Sequence, residues 1–437
     1  MRFTVNNRFK RLNNMEEKGM KKRIIALLLS VFMILALCAC GSSEPAATQS
    51  QTPAAAAASQ PEASVDAPQA STSDDGPVIE TKHHVIGTNN FFKGAYPLDI
   101  VVTSIKSVTD ICGDEIIESN DEGNIERIIA DIENFISAGV DGILWLGFIE
   151  TNFQTGPQKA NAAGIPIAFV DKYPMDEDLF NSCRNLEYFA GGIGNSDYSG
   201  GANMAKYALE LGCKKAIIEG AEVGDTTHEP RIKGFTDVFT AGGGEILTVA
   251  HVDAASDKTV VADNLIASYP NADCFFGTSS DMALAGINAC SVYGLTDVKV
   301  LAVDMGPDLL PYLREGTLAA GCGAHWVNGM FTAILLENYL DGCPMLDDDG
   351  VVALLKTTPL IAVPAPMADL YEKFWIDEFP YEESEIKNML YRYNPDVTIQ
   401  DIKDALDRYS IEDRLIAKYN AGKVTAEELA AVGINIG

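Results

Sequence analysis

The sequence predicts two doubly wound α/β lobes built on parallel sheets, with an extra helical extension at the C-terminal end. Three observations carry this. From about Thr81 onward, apolar runs of strand length alternate with stretches of helical periodicity. The strand-like runs are apolar throughout, as strands covered on both faces are. The folded portion is about 350 residues, more than one ordinary sheet core holds, so two lobes follow.

In order, "HHVIGT", "DEIIES", "DGILWLG" and "IPIAFV" read as the first strands. The clearest helix is "NIERIIADIENFISAG", whose Ile125, Ile128, Ile129, Ile132, Phe135 and Ile136 recur at spacings of three and four on one face, with Gly139 ending it. Further strands are "KKAIIEG", "EILTVAHV", "ADCFFGT", "VKVLAVD" and "LAAGCGAH". Helices such as "SGGANMAKYALELG" and "MALAGINACSVYG" lie between them. Beyond about Val363, "SIEDRLIAKYNAG" and "TAEELAAVG" read as short helices, the second opened by a capping box of Thr425 and Glu428. The aromatic and acidic stretch "FWIDEFPYEESEIKNMLYRY" precedes them; it fits equally a lobe, the hinge side or a partner as its packing surface.

The N-terminal region reads as an address rather than a fold. Met20-Lys21-Lys22-Arg23 is a basic stretch, and Ile24–Leu37 is apolar but for Ser30, too short to span a bilayer comfortably. Leu37-Cys38-Ala39-Cys40 resembles the bacterial lipobox, so residues 1–39 are expected to be a signal peptide and Cys40 the lipidated first residue of the mature chain. A Cys-x-Cys metal pair would need further ligands nearby, and none follow. Met20 is the expected initiator, with residues 1–19 a mis-assigned start; a lengthened basic region is the alternative. Residues 40–80 hold the lipidated cysteine and a Ser/Ala/Pro/Gln-rich linker that cannot bury enough apolar surface to fold.

Residues 1–39 carry eight of the chain's 32 bases and two of its 62 acids, so from Cys40 onward 24 bases face 60 acids, a net charge of -36. Such a chain is a poor partner for nucleic acid. Seven cysteines follow Cys40, scattered and without a Cys-x-x-Cys; they read as mostly free, buried thiols, and no metal is expected. "GGIGNSDYSGG" lacks the strand–turn–helix phosphate fingerprint, which argues against a dinucleotide site, and no cofactor is expected. There is no His-Glu-x-x-His, no Gly-x-Ser-x-Gly and no nucleophile–base pair, so the chain is not expected to be an enzyme.

In open parallel sheets ligands sit beyond the carboxyl ends of the strands. There the sequence places Asn89-Asn90-Phe91-Phe92, Asp171-Lys172, Ser279-Ser280-Asp281, Asp304 and His325-Trp326, with Arg231 at the start of a helix. Carboxylates, a guanidinium, amides and rings in one cleft suit a polyhydroxylated ligand: acids accept hydroxyl protons, Arg and Asn donate, and rings cover C–H faces. Each has a plainer alternative. Asp304 could cap a helix near Pro307, Arg231 could hold a surface acid, and Phe91 and Phe92 could be core. His325 fits either role, Trp145 reads as packing, and His228 reads as a solvated loop residue.

Taken in order, "TNNFF", "NAAGIPIAFVDK", "IGNSDYSGGANMA", "EPRIKGF", "TSSDMALAG" and "VLAVDMGPD" make residues 83–343 resemble the type I periplasmic binding proteins of ABC transporters, especially the ribose and galactose binders. The resemblance implies two lobes joined by a multi-strand hinge. It places a sugar against Asn89, Asn90, Phe91, Phe92, Asp171, Lys172, Arg231, Ser279, Asp304 and His325. Lys172 stands for the family's Arg, Ser279 for an Asn, and Gly147 where another Asn is often found. The expected organisation is a first lobe of residues 81–190 with about 326–350, a second of 191–325 with about 351–365, and the extension 366–437. The implied function is an extracytoplasmic lipoprotein, anchored in the cell membrane through Cys40, that binds a small solute and delivers it to an ABC transporter permease. The alternative is a sensor that presents its ligand to a receptor kinase or chemoreceptor.

Overall fold

The long apolar strands do form two parallel sheets, each closed by helices on both faces. In the computed structural model residues 82–253, 256–356 and 360–436 are described, and they all fall in one compact unit that begins at Gly76. The signal peptide, Cys40 and the linker lie outside the described residues.

The first lobe is built from β1 (Val85–Asn90), α1 (Tyr96–Cys112), β2 (Glu115–Asn120), α2 (Ile125–Ala138), β3 (Gly142–Trp145), α3 (Glu150–Ala163), β4 (Ile167–Phe169), α4 (Glu177–Arg184) and β5 (Phe189–Gly194). The second lobe follows with α5 (Asp197–Glu210), β6 (Lys215–Ala221), α6 (His228–Ala241), β7 (Glu245–Val252), α7 (Lys258–Ser268), β8 (Cys274–Gly277), α8 (Ser280–Val292), β9 (Lys299–Val303), α9 (Leu310–Glu315) and β10 (Leu318–Gly323). The chain then returns to the first lobe in α10 (Asn328–Leu340) and β11 (Leu354–Lys356), and crosses once more to β12 (Leu360–Val363).

The strand orders are β11-β5-β4-β3-β1-β2 and β12-β10-β9-β8-β6-β7. All pairings are parallel except β12 against β10. Three segments therefore cross between lobes: after β5, after β10 and between β11 and β12. This is the two-lobed architecture with a multi-strand hinge.

Local signals explain most elements. α2 starts where the Asn124 side chain accepts from Glu126 N at 2.8 Å, and ends where Gly139 takes φ 71°. Its Ile128, Ile132 and Phe135 are buried. Trp145 is fully buried and donates from Nε1 to Ile128 O at 3.3 Å, so it packs as expected.

Two lobe boundaries differ from expectation. β5 belongs to the first sheet, so residues 191–194 lie with the first lobe. Its sequence "FAGGIG" looks like a loop, yet all six residues are buried. Gly192 is required there, because a Cβ would stand 2.9 Å from Phe169 Cβ. At the other end β11 pairs with β5, so residues 354–356 also lie in the first sheet and only β12 joins the second.

Past β12 the chain forms α11 (Ala368–Tyr371), a π-helical turn (Glu372–Asp377), α12 (Glu383–Asn388), α13 (Ile399–Asp407), α14 (Ile411–Asn420) and α15 (Ala426–Ala431). The Thr425 and Glu428 capping box is present, with Thr425 N donating to Glu428 at 2.7 Å and Glu428 N to Thr425 Oγ1 at 3.2 Å. The seven cysteines among the described residues are free thiols, six of them buried.

Candidate functional site

Among the described residues five non-glycines adopt positive φ, and each follows the carboxyl end of a strand: Glu122 (54°), Phe148 (66°), Asp171 (61°), Asp304 (67°) and Ala324 (61°). Left-handed backbone costs of order 1–3 kcal/mol per residue and persists only where the surroundings impose it. Here it turns the chain just after each of these strands ends.

The glycines of α5 and α6 bring the central charges together. A Cβ on Gly201 would lie 1.9 Å from the Arg231 carbonyl, and one on Gly234 would lie 2.0 Å from the Tyr198 carbonyl. The two helices thus meet backbone to backbone, with Asp197 in the first turn of α5 beside Arg231 in the first turn of α6. Arg231 is 3% exposed. Its Nη1 and Nη2 donate to the two Asp304 carboxylate oxygens at 2.8 and 3.2 Å, its Nε to Asp197 Oδ1 at 3.0 Å, and Nη1 also to Thr278 O at 2.8 Å. Lys172 Nζ, from the first lobe, donates to Asp197 Oδ2 at 2.7 Å. Asp171 Oδ1 accepts from Asn328 Nδ2 on α10 at 2.9 Å. Three carboxylates and two cations therefore share one network that spans both lobes, with Asp197, Arg231 and Asp304 buried and Asp171 and Lys172 half-buried.

The charges hold one another. Burial would raise the Asp197 carboxyl, but Lys172 and Arg231 overcome it and hold the group at about 2. Burial works against the Arg231 and Lys172 cations too. The carboxylates of Asp304 and Asp197 around Arg231, and of Asp197 and Asp171 around Lys172, raise both above their ordinary values. The plainer readings of Arg231 and Asp304 do not hold: Arg231 reaches no surface acid, and Asp304 binds a guanidinium instead of capping a helix.

Buried polar atoms without a protein partner gather beside this network. They are Asn195 Oδ1 and His325 Nδ1 on the crossover segments and Asn328 Oδ1 at the start of α10. Native interiors leave few such atoms unpaired, and a site for a polar ligand is one reason to find several together.

Of the remaining expected residues, His325 adjoins the network beside Asp197 and the others lie apart from it. Asn89 is committed within the first lobe, donating to Asp121 Oδ2 (2.9 Å) and Leu146 O (3.1 Å) and accepting from Leu146 N (2.9 Å). Asn90 donates to Asp99 at 2.8 Å and accepts from Phe92 N at 3.2 Å. Phe91 stacks on Phe148 with centroids 4.1 Å apart, and Phe92 is 51% exposed, which excludes it from the core. The Ser279 hydroxyl bonds to Asp281 at the start of α8. His325 is buried, in a short 3₁₀ turn at the second crossover.

His228 is not a solvated loop residue: it is the first residue of α6, with Nδ1 2.7 Å from the Thr278 hydroxyl. Burial and the neighbouring Arg231 charge lower its pKa. Asp197, Phe148, Thr278 and Asn328 were missed as site residues. "NSDYSGG" held a signal for Asp197, since Asn195 to Asp197 sit directly before a helix whose paired glycines announce a close crossing.

A cavity of about 250 Å³ opens beside the network, lined by Phe148, Lys172, Tyr173, Asp197, Tyr198 and Pro230 among others. Larger cavities, of about 580 and 530 Å³, lie among the extension helices and against α8 and α9, far from these charges. One group that could hold a metal occurs among the described residues, Cys112, Asp114 and Glu337, whose ligand atoms lie within 4.8 Å of one another. Arg392 already supplies a counter-charge there, with Nη2 2.6 Å from Glu337 Oε2.

The profile of the periplasmic binding protein domain family matches residues 90–329, from the end of β1 into α10 and across all the network residues. This chain is a periplasmic binding protein. Its two lobes and crossovers are those of the type I architecture, as the resemblance implied. The binding protein is 24% identical over 214 residues to the ribose import binding protein of Bacillus subtilis (strain 168), which covers 48% of this chain and 65% of that relative. It is also 24% identical over 212 residues to the ribose import binding protein of Escherichia coli (strain K12), covering 48% of this chain and 69% of the relative. The chain thus spans about two thirds of the length of these relatives. Among solved structures, the arabinose ABC transporter binding component from Shewanella sp. ANA-3, bound to arabinofuranose, superposes with a TM-score of 0.58 at 20% identity, over 66% of this chain and 95% of that one. A solute binding protein from Bacillus halodurans C-125 with bound myo-inositol gives 0.55 at 20% identity, over 67% and 99%. These two likenesses are of fold.

Proposed function

We propose that this periplasmic binding protein captures a monosaccharide or related cyclic polyol between its lobes and delivers it to the permease of an ABC transporter. The observation that carries the reading is the network of Asp171, Lys172, Asp197, Arg231 and Asp304, with unpaired polar atoms beside it. Each carboxylate has lone pairs beyond those used by its protein partners and can accept ligand hydroxyls. Such charge-assisted bonds contribute roughly 1.5–3 kcal/mol each. The Phe91–Phe148 pair offers apolar surface for the C–H face of a ring. The relatives and structural neighbours agree: they include a ribose import binding protein and solved structures holding arabinofuranose and myo-inositol.

The test is a thermal-shift screen against D-ribose, L-arabinose, D-allose, myo-inositol, nucleosides and amino acids. At 100 times its dissociation constant a ligand adds about 2.7 kcal/mol of stability. At least one sugar or cyclitol is expected to raise the melting temperature. A response confined to amino acids or nucleosides would overturn the polyol reading.

We also propose that the protein works outside the cytoplasm, held to the membrane by a lipid on Cys40. Leu37-Cys38-Ala39-Cys40 and the linker behind it support this. Cys40→Ala is expected to release the protein from the membrane fraction or leave an uncleaved precursor. Unchanged membrane association and mass would count against the anchor.

A further inference from the structure

The segment after β12 is attached to both lobes. On the first lobe, the fully buried Arg392 side chain enters the core, donating to Glu337 at 2.6 Å and to Asp341 at 2.8 Å, at the C-terminal end of α10. The Asn338 amide bonds to Met389 O at 2.9 Å and accepts from Tyr391 N at 2.7 Å, and the Tyr393 hydroxyl donates to Ile111 O at 2.7 Å. On the second lobe, the Tyr371 hydroxyl donates to Met305 O at 2.9 Å, next to Asp304. Arg314 of α9 pairs with Asp369 at 2.9 Å and with Glu372. At the second crossover the Tyr409 hydroxyl donates to Ala324 O and accepts from Trp375 Nε1 at 3.3 Å.

The apolar packing follows the same course. One face of each lobe has its own core: α2 and α3 over the first sheet, α5 and α6 over the second. On the opposite faces there is a single core. It runs from Ile105 and Val108 of α1 and Ile334 of α10, through Phe374, Trp375 and Leu415 of the extension, to Ile287 of α8 and Leu313 of α9. The extension thus buries apolar surface of both lobes in one cluster.

Hinge bending separates the lobes as rigid bodies about a few crossover residues. A segment bonded to both lobes must give way on one side when that happens. Freeing it from the first lobe would strand Arg392 or its two carboxylates in the core. Freeing it from the second would expose the apolar seam around Tyr371 and Trp375.

We propose that residues 364–436 form a strap that ties the two lobes on one flank, so that the ligand-free protein stays closed where related two-lobed proteins without such a segment would open. This does not depend on which solute is bound.

The experiment measures distances between spin labels on the full chain at Glu177 of the first lobe and Val223 of the second, both exposed. Labels on encoded unnatural residues leave the native cysteines untouched, and refolding from denaturant strips any carried-over ligand. The ligand-free wild type is expected to give one narrow distance distribution. Tyr371→Phe with Tyr409→Phe and Arg314→Gln removes the second-lobe and crossover bonds while keeping the rings, and is expected to broaden the distribution to longer distances. If that variant does not fold, Arg314→Gln alone, at a half-exposed position, is expected to broaden it to a lesser degree. A broad or two-component distribution in the ligand-free wild type would overturn the strap, and so would a folded variant no broader than wild type. Calorimetric ligand binding on the same samples is scored separately, so the strap and the proposed solute reading can fail independently.

Discussion

Arg231 and Glu219 hold buried charge in opposite ways. Arg231 is surrounded by acceptors and stays charged. Glu219, fully buried in β6, has no partner for either carboxylate oxygen. Burial and repulsion from Asp281, against a smaller pull from Lys258, push its pKa up from 4.5 to about 8. The native state therefore keeps a proton that the unfolded chain has shed above about 4.5, and this group lowers stability as pH rises from there towards 8. Asp197 acts at the other end: its carboxyl, held at about 2, contributes stability above its ordinary value of 3.8 that is lost as pH falls towards 2. Glu219→Gln is expected to match wild type at pH 5 and to exceed it by roughly 2–4 kcal/mol at pH 8.5 in denaturant unfolding. An equal difference at both pH values would show that Glu219 does not titrate in this range.

Helix contacts set the site's geometry at the next scale. The approach of α5 to α6 fixes Asp197 against Arg231, and it depends on Gly201. Gly201→Ala must move the Arg231 backbone, at a cost of roughly 1–3 kcal/mol. It is expected to lower the melting temperature and to weaken ligand binding together. A lower melting temperature with unchanged affinity would mean that the contact is structural alone. This scale also shows what the sequence makes legible. α2 is plain because its isoleucines keep helical spacing and Asn124 and Gly139 bound it. β5 is not, because its glycines answer to Phe169 and Leu335, which lie elsewhere in the chain. Strand ends could be placed from apolar runs, and so Asp171, Lys172 and Asp304 could be found, while Arg231 was legible at the start of a helix in "EPRIKGF". Asn89 and Asn90 lie at a strand end too, yet their amides are used by Asp121, Leu146 and Asp99, which no local pattern reveals.

At the scale of the whole molecule, strand–helix alternation disclosed the two lobes, while the docking of the extension was hidden. Arg392 lies 55 residues from Glu337 in sequence, and nothing around it marks it as a core residue. The central claim is that acids from both lobes grip one solute. Arg231→Ala is a poor probe of it, since that change leaves the buried Asp304 carboxylate without its cation and Asp197 with Lys172 alone. Asp171→Asn and Asp304→Asn keep the shape of the site and remove one charge each. The direct measurement is calorimetric titration of wild type and these two variants with the sugar or cyclitol that stabilises the wild type most. Each variant is expected to bind at least about tenfold more weakly, a loss of about 1.4 kcal/mol, and wild-type affinity in both would contradict the site.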